Sequence, residues 1–131
     1  MLTLDEAREY FSHDRYAVNV TGIVIDDVGE DYSKVSVDVQ DKHLGARDHV
    51  MGGVFFTLAD FAFAVATNTP DHFTMTLNSS INYLRQPKDG HLIAECHSIK
   101  NGRRTCLFEV EITDGQGNLL AVVTTNGMHV G

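Results

Sequence analysis

Val50–Asn68, VMGGVFFTLADFAFAVATN, sets the terms on which the rest of the chain must fold. It opens on Gly52-Gly53 and closes before Pro70. Between them lie Val54, Phe55, Phe56, Leu58, Ala59, Phe61, Ala62, Phe63, Ala64, Val65 and Ala66. These apolar residues cover nearly the whole circumference of a helix instead of one stripe, which is the pattern of a buried helix. The run reaches the lower bound for a membrane span, but Thr57, Asp60 and two glycines interrupt it and no basic flanks frame it. The reading is a central helix inside a water-soluble domain.

Asp60 is the anomaly, the only acid between His49 and Pro70. An aspartate is almost never fully buried unless something holds it. One reading is a carboxylate that reaches a partner on a strand and acts structurally. The other follows from the start of the same helix. Gly52 and Gly53 fall in the first turn, where backbone N–H groups lack intrahelical partners and the positive end of the helix dipole points outward. Glycine costs helix stability, about 1 kcal/mol relative to alanine in an interior, but it lets a ligand oxygen approach bare backbone. From Gly52 to Asp60 is eight positions, about 12 Å along the axis. That is too far for both to act on one carbonyl. If they cooperate, one subunit supplies the amide and another the carboxylate, so catalysis predicts a dimer.

The chain has 131 residues, enough for one domain (1–131) with an ordinary core. Ten basic against eighteen acidic side chains give a net charge of −8 with no basic stripe, which argues against nucleic-acid binding. The opening MLTLDEAREYF has no basic region followed by an apolar run, so no signal peptide is expected. Two cysteines, Cys96 and Cys106, are too few for a disulfide framework and lack CxxC spacing. The expected compartment is cytoplasmic, with reduced thiols.

Along the chain, Thr3-Leu4-Asp5-Glu6 has capping-box spacing, and Leu4, Ala7, Tyr10 and Phe11 recur at helical intervals, predicting a short N-terminal helix. β-Branched residues concentrate from Ala17 to Val28 and predict a first strand. Tyr32–Val39 alternates Val35, Val37 and Val39 to one side, a second strand in hairpin relation to the first. The polar loop Gln40–Asp48 leads to the central helix, with Asp48 or His49 as its cap. Further strands are predicted at Phe73–Leu84, His91–Lys100, Arg104–Thr113 and Leu119–Val130. Turns at Gln86–Gly90, Asn101-Gly102 and Asp114–Asn118 separate them. Hairpin connections make the later strands antiparallel. About six strands and one all-apolar helix imply an α+β domain whose sheet curls around that helix.

A curled antiparallel sheet around one hydrophobic helix resembles the hotdog fold, and the motif residues resemble the PaaI-like branch of hotdog acyl-CoA thioesterases. The clearest match is Gly52-Gly53-x4-Leu58-Ala59-Asp60, similar to that family's HGG-x4-LAD helix. Ser80-Ile81-Asn82-Tyr83-Leu84-Arg85-Gln86-Pro87, Gly102-Arg103-Arg104 and the closing Gly117–Met128 segment match as well. The resemblance covers nearly the whole chain after the N-terminal helix. It implies that Asp60 is the catalytic carboxylate, as general base or nucleophile. It further implies that the Gly52 N–H, with Gly53, polarises the thioester carbonyl, and that Thr76 helps place the water. A strand-favouring threonine explains Thr76 equally well. The family's usual histidine before Gly-Gly is Met51 here, its usual asparagine falls on Gly45, and the intervening glycine falls on Asp48. His43 and His49 lie close enough in sequence to stand in for a carbonyl contact.

Substrate contacts are expected from His49, Met51 and Asn68, which flank the helix, and from Arg85, Lys88, Arg103 and Arg104. With Lys100, the last four form a basic cluster in the second half suited to the phosphates of coenzyme A; a solvated hairpin explains them as well. His43, Asp48 and His49 match no standard metal spacing, so no metal is expected in the site, and no cofactor beyond coenzyme A as part of the substrate. No G-x-S-x-G elbow is present. Cys106, alternating with Phe108 and Val110, reads as a core thiol. One or two of Phe55, Phe56, Phe61 and Phe63 could line an acyl pocket at a subunit seam. The expectation is a cytosolic homodimer, paired into a dimer of dimers, that hydrolyses an aryl or medium-chain acyl-CoA. An acyl-CoA binding protein without activity, a hydratase or dehydratase, and a purely structural Asp60 stand as the alternatives.

Overall fold

A computed structural model of the chain describes residues 1–130. Two α-helices, α1 (Leu4–Phe11) and α2 (Gly52–Thr67), accompany six strands. These are β1 (Val24–Gly29), β2 (Tyr32–Asp38), β3 (Phe73–Tyr83), β4 (His91–Asn101), β5 (Thr105–Asp114) and β6 (Leu119–Val130). They form one sheet in the order β1-β2-β4-β5-β6-β3, antiparallel at every pairing. The sheet curls around α2, the hotdog arrangement the sequence resembles.

The core is where the alternation predicts it. Val35 and Val37 of β2, and Cys106, Phe108, Val110 and Ile112 of β5, all face α2 and are buried. From the helix, Phe55, Leu58, Phe61, Ala62 and Phe63 meet them. Each fully buried phenylalanine contributes about 1.5–3 kcal/mol of apolar transfer. Phe63 packs edge-on against Phe108, ring centres 5.4 Å apart. Ser33 of β2 ties sheet to helix by donating 2.6 Å to the Ala62 carbonyl. At the N-terminus the capping box forms as expected. Glu6 N–H donates to Thr3 Oγ1 at 3.2 Å, and Thr3 N–H donates to Glu6 Oε1 at 2.9 Å. Phe11, at the end of α1, stacks edge-on against Phe61.

The first strand is shorter than the β-branched run implies. Arg15–Val20 winds instead into one wide helical turn, with Thr21 N–H reaching back five residues to the Tyr16 carbonyl at 2.9 Å. Asp14 caps that turn by accepting from Ala17 N–H at 2.8 Å. Gly22, at φ +87°, then redirects the chain into β1. A local cap and a left-handed glycine override β propensity, which reflects packing context more than backbone preference.

Gly127 in β6 shows how closely the sheet wraps its helix. A Cβ there would lie 2.8 Å from Phe63 Cζ, 2.8 Å from Thr74 Cγ2 and 3.1 Å from Cys106 Sγ. We expect Gly127→Ala to lose about 1–3 kcal/mol of stability by overpacking. Denaturant unfolding of the two proteins measures this, and an unchanged midpoint would mean the helix is not held so tightly.

At the opposite end of the sheet the β5–β6 turn is built on Asp114, which is 1% exposed. Burial alone would raise its pKa. Donation from the Lys88, Gln116 and Asn118 backbone and from the Asn118 amide outweighs burial and holds the carboxyl well below the ordinary carboxylate value. A carboxylate lowered in this way contributes stability above the ordinary carboxylate pKa and loses it as pH falls through the lowered value.

Candidate active site

The helix is not apolar on every side, and this corrects the reading of the sequence. Gly53, Thr57 and Asp60 follow one another at i, i+4 and i+7 and form a single open row. Asp60 is exposed in the single chain rather than buried. The apolar residues flanking this row only partly close it, so a composition that is apolar all round still leaves one polar seam. The wide turn Arg15–Val20 stands beside the start of the row. Tyr16, Val20, Lys42, Met51, Gly53 and Thr57 line a groove of about 170 Å³ there.

Asp60 has an altered proton affinity. Partial desolvation, and then the negative charge of Asp14, hold its carboxyl above the ordinary aspartate value. Asp14 is also the residue that caps the wide turn, so one side chain both shapes the groove wall and acts on the acid.

The helix start is held by residues that sequence reading assigned to other roles. The Gln86 amide brackets Val50, accepting from its N–H at 2.9 Å and donating to its carbonyl at 3.1 Å. Tyr83 Oη donates 3.0 Å to the Gly52 carbonyl, while its ring packs edge-on against Phe55. A Cβ on Gly52 would stand 3.0 Å from that hydroxyl, so Tyr83 occupies the room that the missing side chain leaves. Gly53 has no such neighbour closer than Met51 Cε at 3.7 Å. The helix cap is Met51, without a side-chain hydrogen bond, and not Asp48 or His49. Among the described residues the Gly52 and Gly53 N–H groups have no protein acceptor. Two free donors therefore sit at the positive end of a sixteen-residue helix. Gln86 sits in a proline turn and Tyr83 in a strand alternation; nothing in sequence spacing marks either as a helix support.

His43 is buried in the loop before α2. Its Nδ1 accepts from Gln40 N–H at 2.9 Å, and its Nε2 faces the Thr21 carbonyl at 2.7 Å. One ring nitrogen braces the loop itself and the other ties it to the end of the wide turn, so neither is free. His49 and Asp48 remain on the loop surface, Asp48 at φ +59°.

Other expected contacts are spread apart. Asn68 lies at the far end of α2, about 24 Å from Gly52 in a helix of this length. It accepts from Thr74 N–H at 2.7 Å and so anchors the start of β3. Thr76 is exposed on β3 next to a bulge at Thr76/Asn78. The basic residues do not form one cluster. Arg85 and Lys88 flank Gln86 near the start of α2, whereas Arg103 and Arg104 sit in the β4–β5 hairpin. The eleven residues of β4 separate the two pairs by on the order of 30 Å within one chain. Spacing in sequence concealed the length of the strand between them.

β3 is an edge strand. Its first apolar residues face outward: Phe73 is 51%, Met75 41% and Leu77 54% exposed. A long edge with exposed apolar side chains is one that native proteins cover or pair. No helix of the described residues is long and apolar enough to cross a membrane.

The family description "Thioesterase superfamily" matches residues 48–121, which span the motif helix, the strands β3, β4 and β5, and the start of β6. An esterase candidate of Archaeoglobus fulgidus is 33% identical over 94 residues, covering 71% of this chain and 61% of that protein's length. The acyl-coenzyme A thioesterase PaaI of Escherichia coli is 26% identical over 111 residues, covering 84% of this chain and 79% of that one. A thioesterase of Haemophilus influenzae superposes with a TM-score of 0.89 at 22% identity, covering 100% of this chain and 92% of that one, a likeness of fold.

Proposed function

Because the chain belongs to the thioesterase superfamily, we propose that it hydrolyses an acyl-CoA thioester to the free acid and coenzyme A. The observation that carries this reading is that α2 presents unpaired N-terminal amides at its start and, on the open row that begins at Gly53, a partly desolvated carboxylate. The thioester oxygen would accept from the Gly52 N–H, with Gly53 beside it, so that charge developing on that oxygen meets the positive helix end. Asp60 would take a proton from water as the water attacks the carbonyl carbon. The tetrahedral intermediate then collapses, the C–S bond breaks, and the proton returns to the thiolate of coenzyme A. Direct attack by Asp60, through an acyl-aspartyl anhydride that water then opens, uses the same groups.

Since Gly52 and Asp60 are about 12 Å apart on one helix, the amide and the acid that meet one substrate come from two copies of the chain. The uncovered β3 edge supports a homodimer paired through that strand, with a dimer of dimers as the larger assembly. Thr76 of that strand would place the water near the seam. Of the four expected basic residues, Arg85 and Lys88, which flank Gln86, are assigned to the coenzyme A phosphates. Arg103 and Arg104 would reach the same ligand only from a neighbouring copy. His49 and Met51 border the carbonyl site. An aryl or medium-length acyl chain is the proposed cargo, and cytoplasm the proposed location.

A panel of aryl- and medium-chain acyl-CoAs, followed by thiol detection, tests the proposal. Release of coenzyme A is expected. Binding without release would instead identify an acyl-CoA binding protein, the alternative that Met51 in place of a histidine favours.

A further inference from the structure

A second cluster lies at the far end of α2, away from the glycine pair. His72 Nε2 and His129 Nδ1 are 3.1 Å apart, and Thr74 Oγ1 lies 3.2 Å from the first and 2.9 Å from the second. The three donors form a nearly equilateral triangle contributed by the start of β3 and the end of β6.

The ring geometry fits a shared ion as well as it fits a bent hydrogen bond. A head-on N–H···N hydrogen bond of this length would hold the ring centres about 5.4 Å apart. They are 4.9 Å apart, with the rings inclined at 49°. Two imidazoles whose nitrogens sit about 2.05 Å from one ion and subtend about 100° have nitrogens about 3.1 Å and ring centres about 4.9 Å apart. Both separations fit lone pairs that converge beside the line joining the nitrogens. The surrounding residues fit as well. His129 Nε2 stands 2.7 Å from Asn101 Oδ1, so that nitrogen carries the hydrogen and Nδ1 is left with its lone pair. Asn101 Nδ2 in turn donates 2.9 Å to Asp31 Oδ1. A ligating histidine whose other nitrogen is fixed by an outer hydrogen-bond chain ending in a carboxylate is the usual support of a metal site. A cavity of about 270 Å³ opens beside it, lined by His72, Asp31, Glu30 and Asn68.

We propose that His72, His129 and Thr74 hold a divalent transition ion of the zinc class. Two imidazoles and a hydroxyl supply three positions, and water from the cavity completes the shell. No three His, Cys, Asp or Glu side chains converge among the described residues; here the third donor is a hydroxyl. Imidazole ligands select zinc, copper or nickel over magnesium or calcium. The ion would tie the edge strand β3 to β6 and takes no part in hydrolysis, so the proposal stands or falls apart from the thioesterase reading.

Tag-free protein stripped with EDTA and desalted is titrated with Zn²⁺ by calorimetry, and with Co²⁺ by absorption. One Zn²⁺ per chain and a rise in Tm are expected. His72→Asn and His129→Asn should each weaken binding at least tenfold, and Asn101→Ala by about 10-fold through loss of the outer support. The loop variant His49→Asn should bind like the parent. If a variant fails to fold, ¹⁵N-imidazole NMR of the parent decides: Zn²⁺ should shift two of the seven histidines. Absence of stoichiometric uptake, uptake unchanged in the His72→Asn/His129→Asn double variant, or no selective imidazole shift would overturn the site.

Discussion

Asp60→Asn is expected to lower kcat for acyl-CoA hydrolysis by roughly 10²–10⁴-fold, the contribution of a positioned general acid–base group. The substitution keeps the shape and removes only the basic oxygen. KM should change little, because the contacts proposed for the acyl chain and coenzyme A lie on other residues. Stability should not fall. The folded protein holds the Asp60 proton more tightly than the unfolded chain does, through desolvation and then through Asp14. The ionised acid therefore costs stability, and that cost is present above the raised pKa and relieved as pH drops toward the ordinary aspartate value. An amide at this position escapes the cost. The same raised pKa sets the rate profile of the parent enzyme. A general base must be ionised, so activity should decline on the acid side at a pH above that of an unperturbed aspartate. Asp14→Asn should move this limb downward. Steady-state kinetics against pH, with chemical denaturation in parallel, measures all three. A fully active Asp60→Asn enzyme would leave the carboxylate with a structural role only.

A lysine at Met75 or Leu77 on β3 should produce the second large effect. These side chains are exposed on an unpaired edge, and a charge there blunts strand pairing. The folded chain should survive, since neither residue belongs to the core, but light scattering should report a monomer. Activity should drop on the order of 10²-fold or more, comparable to the loss of an oxyanion donor, because the amide and the acid that meet one substrate are then parted. Unchanged circular dichroism with lost activity is the expected pattern. A monomer with parental kcat/KM would show that one chain is sufficient.

Much of this architecture could be read from the sequence, for physical reasons. The Gly52-Gly53 start and the apolar density of Val54–Ala66 leave few alternatives to a helix enclosed by a sheet. Period-two patterns such as Cys106, Phe108, Val110 and Ile112 fixed which face of β5 meets it. What misled was local or long-range. The run from Ala17 to Val28 looked extended because its side chains are branched, yet the Asp14 cap and the Gly22 turn wind its first half. α2 looked apolar all round because a polar row of Gly53, Thr57 and Asp60 contributes little to a hydrophobicity count. On β3 alternation predicted a strand correctly but not which way it faced, since Phe73, Met75 and Leu77 turn away from the core. At the candidate site the glycines and the acid were legible from their spacing. The Gln86 bracket and the Tyr83 hydroxyl were not, because both act across more than thirty residues of sequence. The apparent basic cluster dissolved for a related reason: β4 carries Arg103 and Arg104 to the opposite end of the sheet from Arg85 and Lys88.

The claim on which the chemistry rests is that two copies of this chain build each site. A crystal structure with an acyl-CoA analogue in which CH₂ replaces the thioester sulfur addresses it directly. The account predicts the analogue's carbonyl oxygen within hydrogen-bond distance of the Gly52 or Gly53 N–H of one protomer. Asp60 of its partner should lie on the opposite side, in reach of the carbonyl carbon or of a water aimed at it. A carbonyl bound away from the start of α2, or one flanked only by groups of a single chain, would contradict the account.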